Sequence, residues 1–180
     1  MRNKINAIKS VERINARTQE DIEKELVSHF HTLLMEDHQD RTDACIDQVS
    51  SHIPSIITPE KNVALVKEIM IDELEEAVNN MAEGKAPGPV GFTINLFHHC
   101  WDLLKHEVLD IVEESRQKRW VLPTLNATFL TLIPKETGAT DPGKFRPISL
   151  CNVIYKIISK VIASRLKGLL KLDPWDAAQA

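Results

Sequence analysis

The sequence predicts an α+β, mainly helical fold: helices through the first half, one β-hairpin late in the chain, and a C-terminal basic amphipathic helix. Three observations carry this. Apolar residues recur every three or four positions over most of the chain. The pattern gives way to short β-branched and aromatic runs at 127–133 and 144–150. Glycine and proline cluster at 85–92 and 134–143, where the chain has to turn. With 180 residues, 43% of them hydrophobic and 27% charged, the chain has the size of one ordinary domain with its own core. That composition speaks against wholesale disorder and against fibrous classes.

The first 83 residues predict helices between polar turns and no alternating strand. Ile22, Leu26, Phe30, Leu33 and Leu34 fall at helical spacing, and Thr18 with Asp21 offers a cap, which together predict a helix over 18–35. Ile46, Val49 and Ile53 suggest a shorter one. Thr58-Pro59-Glu60 is an N-cap followed by proline in a first turn. Asp72-Glu73 opens a further helix with Leu74, Ala77, Val78 and Met81 on one face, stopping near Gly84. At 85–92, Lys-Ala-Pro-Gly-Pro-Val-Gly-Phe is the sharpest break: two prolines fix φ and remove donors, while two glycines permit positive φ. Ile94, Phe97, Trp101, Leu104 and Val108 then predict one helix to about Trp120, or two that break near Lys105-His106. The runs at 127–133 and 144–150 form a hairpin, with Pro147 at an edge or bend. Val153, Ile154, Ile157, Ile158, Val161, Ile162, Leu166, Leu169 and Leu170 make an apolar stripe, with Lys156, Lys160, Lys167 and Lys171 around the rest.

No window approaches about eighteen apolar residues and the N-terminus lacks a signal-like core, so no transmembrane segment and no export are expected. Cys45, Cys100 and Cys151 are odd in number and far apart, which offers neither a disulfide framework nor a Cys-x-x-Cys metal site. A reducing compartment is the simpler reading. The formal net charge of −4 hides an asymmetry: residues 1–84 hold 9 basic and 17 acidic side chains, residues 85–180 hold 13 and 9. Between 116 and 171 there are eleven basic residues against two acidic ones, a field that attracts phosphate-bearing ligands unless it is simply a solvated face.

Most chemical motifs fail on mechanism. Gly138-Ala-Thr-Asp-Pro-Gly-Lys144 resembles a phosphate-binding P-loop, but Phe145 stands where a hydroxyl is needed and Pro142 removes a cradling N–H. His98, His99 and Cys100 are adjacent, so on a helix they point about 100° apart and cannot converge on one ion. His29 and His31 fail likewise, and no hydrolase nucleophile motif is present. The carboxylates of the basic half, including Asp102, Asp110, Glu136, Asp141, Asp173 and Asp176, offer no pair suited to two-metal chemistry. The sequence therefore names no catalytic residue and no metal ligand.

Several segments nevertheless fall in a telling order: the 85–92 loop, Cys100-Trp101-Asp102, Leu130-Thr-Leu-Ile-Pro-Lys135, and Phe145-Arg-Pro-Ile-Ser-Leu-Cys-Asn-Val-Ile-Tyr-Lys-Ile-Ile-Ser-Lys160 continuing to Lys167. They resemble the N-terminal part of the reverse transcriptase domain of plant non-LTR, LINE-type retrotransposons. The resemblance covers 85–170, and the helical stretch before it is similar to the linker between endonuclease and polymerase. It implies an acidic helical linker over 1–84, a partial fingers domain over 85–171, and a divergent tail over 172–180. It also implies that Lys135 and Arg146 bind the phosphates of a deoxynucleoside triphosphate, and that Lys85, Lys156, Lys160 and Arg165 meet the backbone of an RNA or DNA template-primer. Val90 stands where the family has Asp in this loop, which removes a polar contact or a turn-stabilising bond. The palm motifs that carry the family's magnesium-binding aspartates would follow the last helix, where this sequence diverges. The isolated chain is therefore expected to lack polymerase activity and to need no cofactor of its own. Localisation follows only from the family, as nuclear or cytoplasmic. The other readings are a membrane-surface or partner-binding helix over 152–172, and a relic without function.

Overall fold

The computed structural model describes residues 5, 7–9, 15–16, 18–35, 47–48, 50–51 and 57–170. Ile46, Val49 and Ile53, on which the short helix rests, and the tail from 171 lie outside them. The elements in order are β1 (Ile8–Lys9), β2 (Asn15–Ala16), α1 (Gln19–Leu34), α2 (Pro59–Val66), α3 (Ile71–Asn79), α4 (Ile94–His99), α5 (Trp101–Lys118), α6 (Pro123–Asn126), β3 (Thr128–Pro134), β4 (Phe145–Cys151) and α7 (Val153–Leu170). The fold is mainly helical with a small β component, as the sequence predicts. The chain folds as two compact units, residues 1–54 with 130–148, and residues 55–129 with 149–180.

In the first unit, Thr18 caps α1 by accepting the Asp21 N–H at 3.2 Å, as its position before the apolar run implies. α1 buries Ile22, Leu26 and Phe30 with Ile8 and Phe145, and Leu132 packs against them. Ile8 and Lys9 pair antiparallel with Ala16 and Asn15. Two residues per strand are too short to show the alternation by which a strand is read from sequence. The hairpin carries the unit's remaining contacts, with the Lys135 N–H donating to the Lys144 carbonyl at 2.8 Å.

The second unit packs helices around one core. α3 supplies Leu74, Ala77 and Val78, α4 supplies Ile94 and Phe97, α5 supplies Val108 and Val112, and α7 supplies Val153, Ile157, Ile158 and Val161. α3 stops at Asn79, short of Gly84, because Asn80 caps it, its backbone and side-chain N–H groups both donating to the Glu76 carbonyl. The break between α4 and α5 falls at Cys100, not at Lys105-His106; Cys100 leaves the helical region at φ −113°, ψ 21°. Leu103 and Leu104 both donate to the Cys100 carbonyl, so α5 restarts at once and its apolar face swings onto α7. The one-turn α6 was not legible beforehand.

Two arginines close the C-terminal end of α2. Arg116 donates to the Val66 carbonyl at 2.7 Å and grips Glu113, which in turn accepts the Ile69 N–H at 3.3 Å. Hydrogen bonds from Arg116 hold the Glu113 carboxyl down to about 2, helped by Gln117 and the Ile69 N–H. A carboxyl held below its ordinary 4.5 stabilises the fold above that value, and the contribution is lost as pH falls from 4.5 towards 2. Glu113→Gln should therefore flatten the acid limb of stability against pH between those values. Urea melts from pH 6 to pH 2.5 check this, and identical slopes for variant and wild type would defeat it.

Candidate nucleic-acid interface

The 85–92 loop is built on backbone contacts. The Gly91 N–H closes a turn on the Gly88 carbonyl at 2.9 Å, and Gly91 takes φ +85°, a conformation suited to glycine. The Val90 N–H donates to Asn152 Oδ1 at 2.9 Å. The turn is thus held without any carboxylate at 90, and the half-exposed Val90 side chain takes no part in holding it. Asn152 is 3% exposed, and its Nδ2 faces the carbonyls of Thr124, Leu125 and Ala127 at 3.0 to 3.2 Å. Its own carbonyl accepts the first intrahelical bond of α7, from Lys156 at 3.1 Å. Asn152 therefore occupies an N-cap position, yet its side chain serves the loop and α6.

Fixing the loop on the start of α7 brings together residues about seventy positions apart in sequence. Lys85, Lys156 and Lys160 line one cavity of about 250 Å³ with Asn80, Thr93, Ile94 and Val153. Lys156 and Lys160 are half-buried and one helical turn apart, where like charges repel by roughly 0.2–0.5 kcal/mol. Among the described residues no carboxylate pairs with any of the three. The cavity thus gathers three lysines beside polar Asn80 and Thr93. Further along α7, Lys160, Ser164 and Lys167 border a second hollow of about 480 Å³ together with Glu76 and Asn80.

Arg165, expected beside those lysines, lies outside the cavity. It forks onto both Glu73 carboxylate oxygens at 2.6 and 2.8 Å, and donates to the carbonyls of Leu65, Lys67 and Glu68. All five of its N–H groups are occupied. In the other unit, Lys135 Nζ donates to the Gly143 carbonyl at 2.7 Å, and Arg146 is exposed. Leu132 and Phe145 face the core there, so period-two alternation puts Lys135 and Arg146 together on the opposite face of the hairpin. Lys144 is engaged by Glu136 at 2.6 Å, which raises its pKa, and the Gly143 N–H is taken by Asp141, so the 138–144 segment has no P-loop cradle to offer.

No protein-family model matches the chain. A 128-residue stretch is 31% identical to the "Transposon TX1 uncharacterized 149 kDa protein" of Xenopus laevis. The chain is similar to a transposon protein. The alignment takes in 71% of this chain and 10% of that relative, so the chain spans about a tenth of the relative's length.

The histidines take separate partners. His98 bridges the Val78 carbonyl at 3.0 Å and the Glu83 carboxylate at 3.1 Å, which raise its pKa in that order, while His99 turns back to the Asn95 carbonyl. Among the described residues no three His, Cys, Asp or Glu side chains cluster as a metal site. Among them, too, no helix is long and apolar enough to cross a membrane. Asn152 was missed by sequence reasoning; an asparagine directly ahead of an apolar helical stripe is the signal that could have found it.

Proposed function

We propose that this chain derives from a retrotransposon of the plant non-LTR, LINE type and corresponds to the linker and fingers part of its reverse transcriptase. In this reading it binds nucleic-acid backbone through Lys85, Lys156 and Lys160. The observation that carries it is the convergence of these three motif lysines, unpaired, on one cavity. Similarity to a transposon protein supports the origin. Lys135 and Arg146, sharing a hairpin face, suit the phosphates of a deoxynucleoside triphosphate, with Arg146 able to fork onto two oxygens. Arg165 holds the fold instead. Two-metal nucleotidyl transfer needs convergent carboxylates, and in this reading that chemistry, with its magnesium, belongs to the palm of an intact polymerase.

The test is fluorescence-anisotropy titration of a labelled RNA–DNA hybrid over a salt series. Replacing Lys85, Lys156 and Lys160 together by glutamine should reduce the slope of log K against log salt by about 2 to 3, whereas Lys118→Gln, which breaks a surface pair with Glu114, should not. Binding with a slope indifferent to the three lysines would remove the site. Primer extension on an RNA template with magnesium should give no product; templated synthesis abolished by Arg146→Gln would overturn the assignment of chemistry elsewhere.

A further inference from the structure

Three close approaches meet at the root of the lysine cavity. The Val90 N–H is bonded to Asn152 Oδ1 at 2.9 Å. Gly88 lies so near α7 that a Cβ there would stand 2.5 Å from the Cys151 carbonyl carbon and 2.7 Å from Asn152 Oδ1, and closer still to Asn152 N. Backbone atoms cannot yield as a flexible side chain can, so any residue other than glycine lifts the loop off the helix. Asn152 itself is clamped from the far side by three carbonyls, those of Thr124 and Leu125 in α6 and of Ala127 just after it, leaving its amide one orientation: oxygen towards the loop, nitrogen towards α6. Lys85 and Ala86, immediately before this contact, and Val153 and Lys156, immediately after it, all line the cavity.

We propose that Asn152 and Gly88 form a clasp that positions Lys85 against Lys156 and Lys160, making Asn152 a positioning residue for the phosphate site. This rests on the backbone-binding reading of the three lysines. Lys156 and Lys160 sit on one helix face whatever the loop does. Lys85 joins them through the clasp. The role differs from plain stabilisation, because the two halves of the Asn152 amide do different things: the oxygen holds the loop, and the nitrogen holds α6.

The full 180-residue chain and a labelled RNA–DNA hybrid provide the test. In the wild type, Lys85→Gln and Lys160→Gln should each lower the salt slope by about 1. In a Gly88→Ala background the Lys85 effect should vanish while the Lys160 effect stays. Asn152→Asp keeps the oxygen acceptor and sets a carboxylate against the α6 carbonyls; it should lower the melting temperature yet preserve the Lys85 effect. Asn152→Ala, which loses the oxygen acceptor as well, should abolish the Lys85 effect and leave the Lys160 effect, a loss that a merely structural asparagine would not produce. A Lys85 effect undiminished by Gly88→Ala would overturn the clasp. If the wild type binds no hybrid, the phosphate reading fails on its own, and amide exchange then judges the clasp. Val90 protected in the wild type and open in Gly88→Ala upholds it, whereas Val90 exchanging equally in both overturns it.

Discussion

Arg165→Ala should destabilise the chain by about 3 kcal/mol, the range found when one partner of a desolvated ion pair is removed, and lower its melting temperature by roughly 10 °C. The arginine side chain is 11% exposed and Glu73 22%, so the lost fork leaves a carboxylate poorly hydrated. It also orphans the Leu65, Lys67 and Glu68 carbonyls, which end α2 and lead into α3. Arg165→Lys should rescue little, since one ammonium cannot reach a bidentate carboxylate and three carbonyls together. Hydrogen bonding to Arg165 is the first cause of the lowered Glu73 pKa, so the loss should be greatest at neutral pH and shrink as acid protonates Glu73. The salt slope for nucleic acid should not change, because Arg165 lies outside the lysine cavity. Differential scanning calorimetry with parallel anisotropy titration measures both. A melting temperature within about 2 °C of the wild type would sink the prediction.

How much of this was legible beforehand follows the range of the interactions. Thr18 and Thr58 were readable because a cap and the N–H it satisfies lie three residues apart. The α7 stripe was readable because its period is local. Arg165 and Asn152 were visible as residues but not as roles, since their partners lie 97 to 100 and 25 to 62 positions away for the carbonyl and loop contacts. A basic residue in a basic segment invites a surface reading, and only packing tells Arg165, turned inward, from Lys160, which lines a cavity. The resemblance grouped Lys85, Lys156 and Lys160 with Arg165 by role; that the three lysines share one cavity without Arg165 follows from packing around the Gly88 contact, which no periodicity encodes. The helix break at Cys100 went unplaced because neither Gly nor Pro marks it.

Ile157→Ala should cost about 3 kcal/mol, within the span for truncating a buried isoleucine, while Ile162→Ala should cost under about 1 kcal/mol. Both lie on the apolar stripe of α7, five residues apart, but Ile157 is fully buried and Ile162 is 54% exposed. The difference decides between two uses of a basic amphipathic helix. A membrane-surface or partner-binding helix needs its stripe free, and its two isoleucines would then be equivalent for folding. Here Val153, Ile157, Ile158 and Val161 are buried with Leu74, Val78, Val108 and Val112, so the first three turns are spent on the core. Ile162 and Leu166 instead border an apolar hollow of about 630 Å³ with Trp120 and Tyr155. Truncation at 157 removes packing on every side, and truncation at 162 exposes little that water does not already reach. The folded chain should accordingly stay in the soluble fraction on flotation with anionic vesicles, and Ile157→Ala should drive more of it to the lipid by populating the unfolded state. Equal urea midpoints for the two variants, or flotation of the folded wild type, would return the helix to the membrane reading.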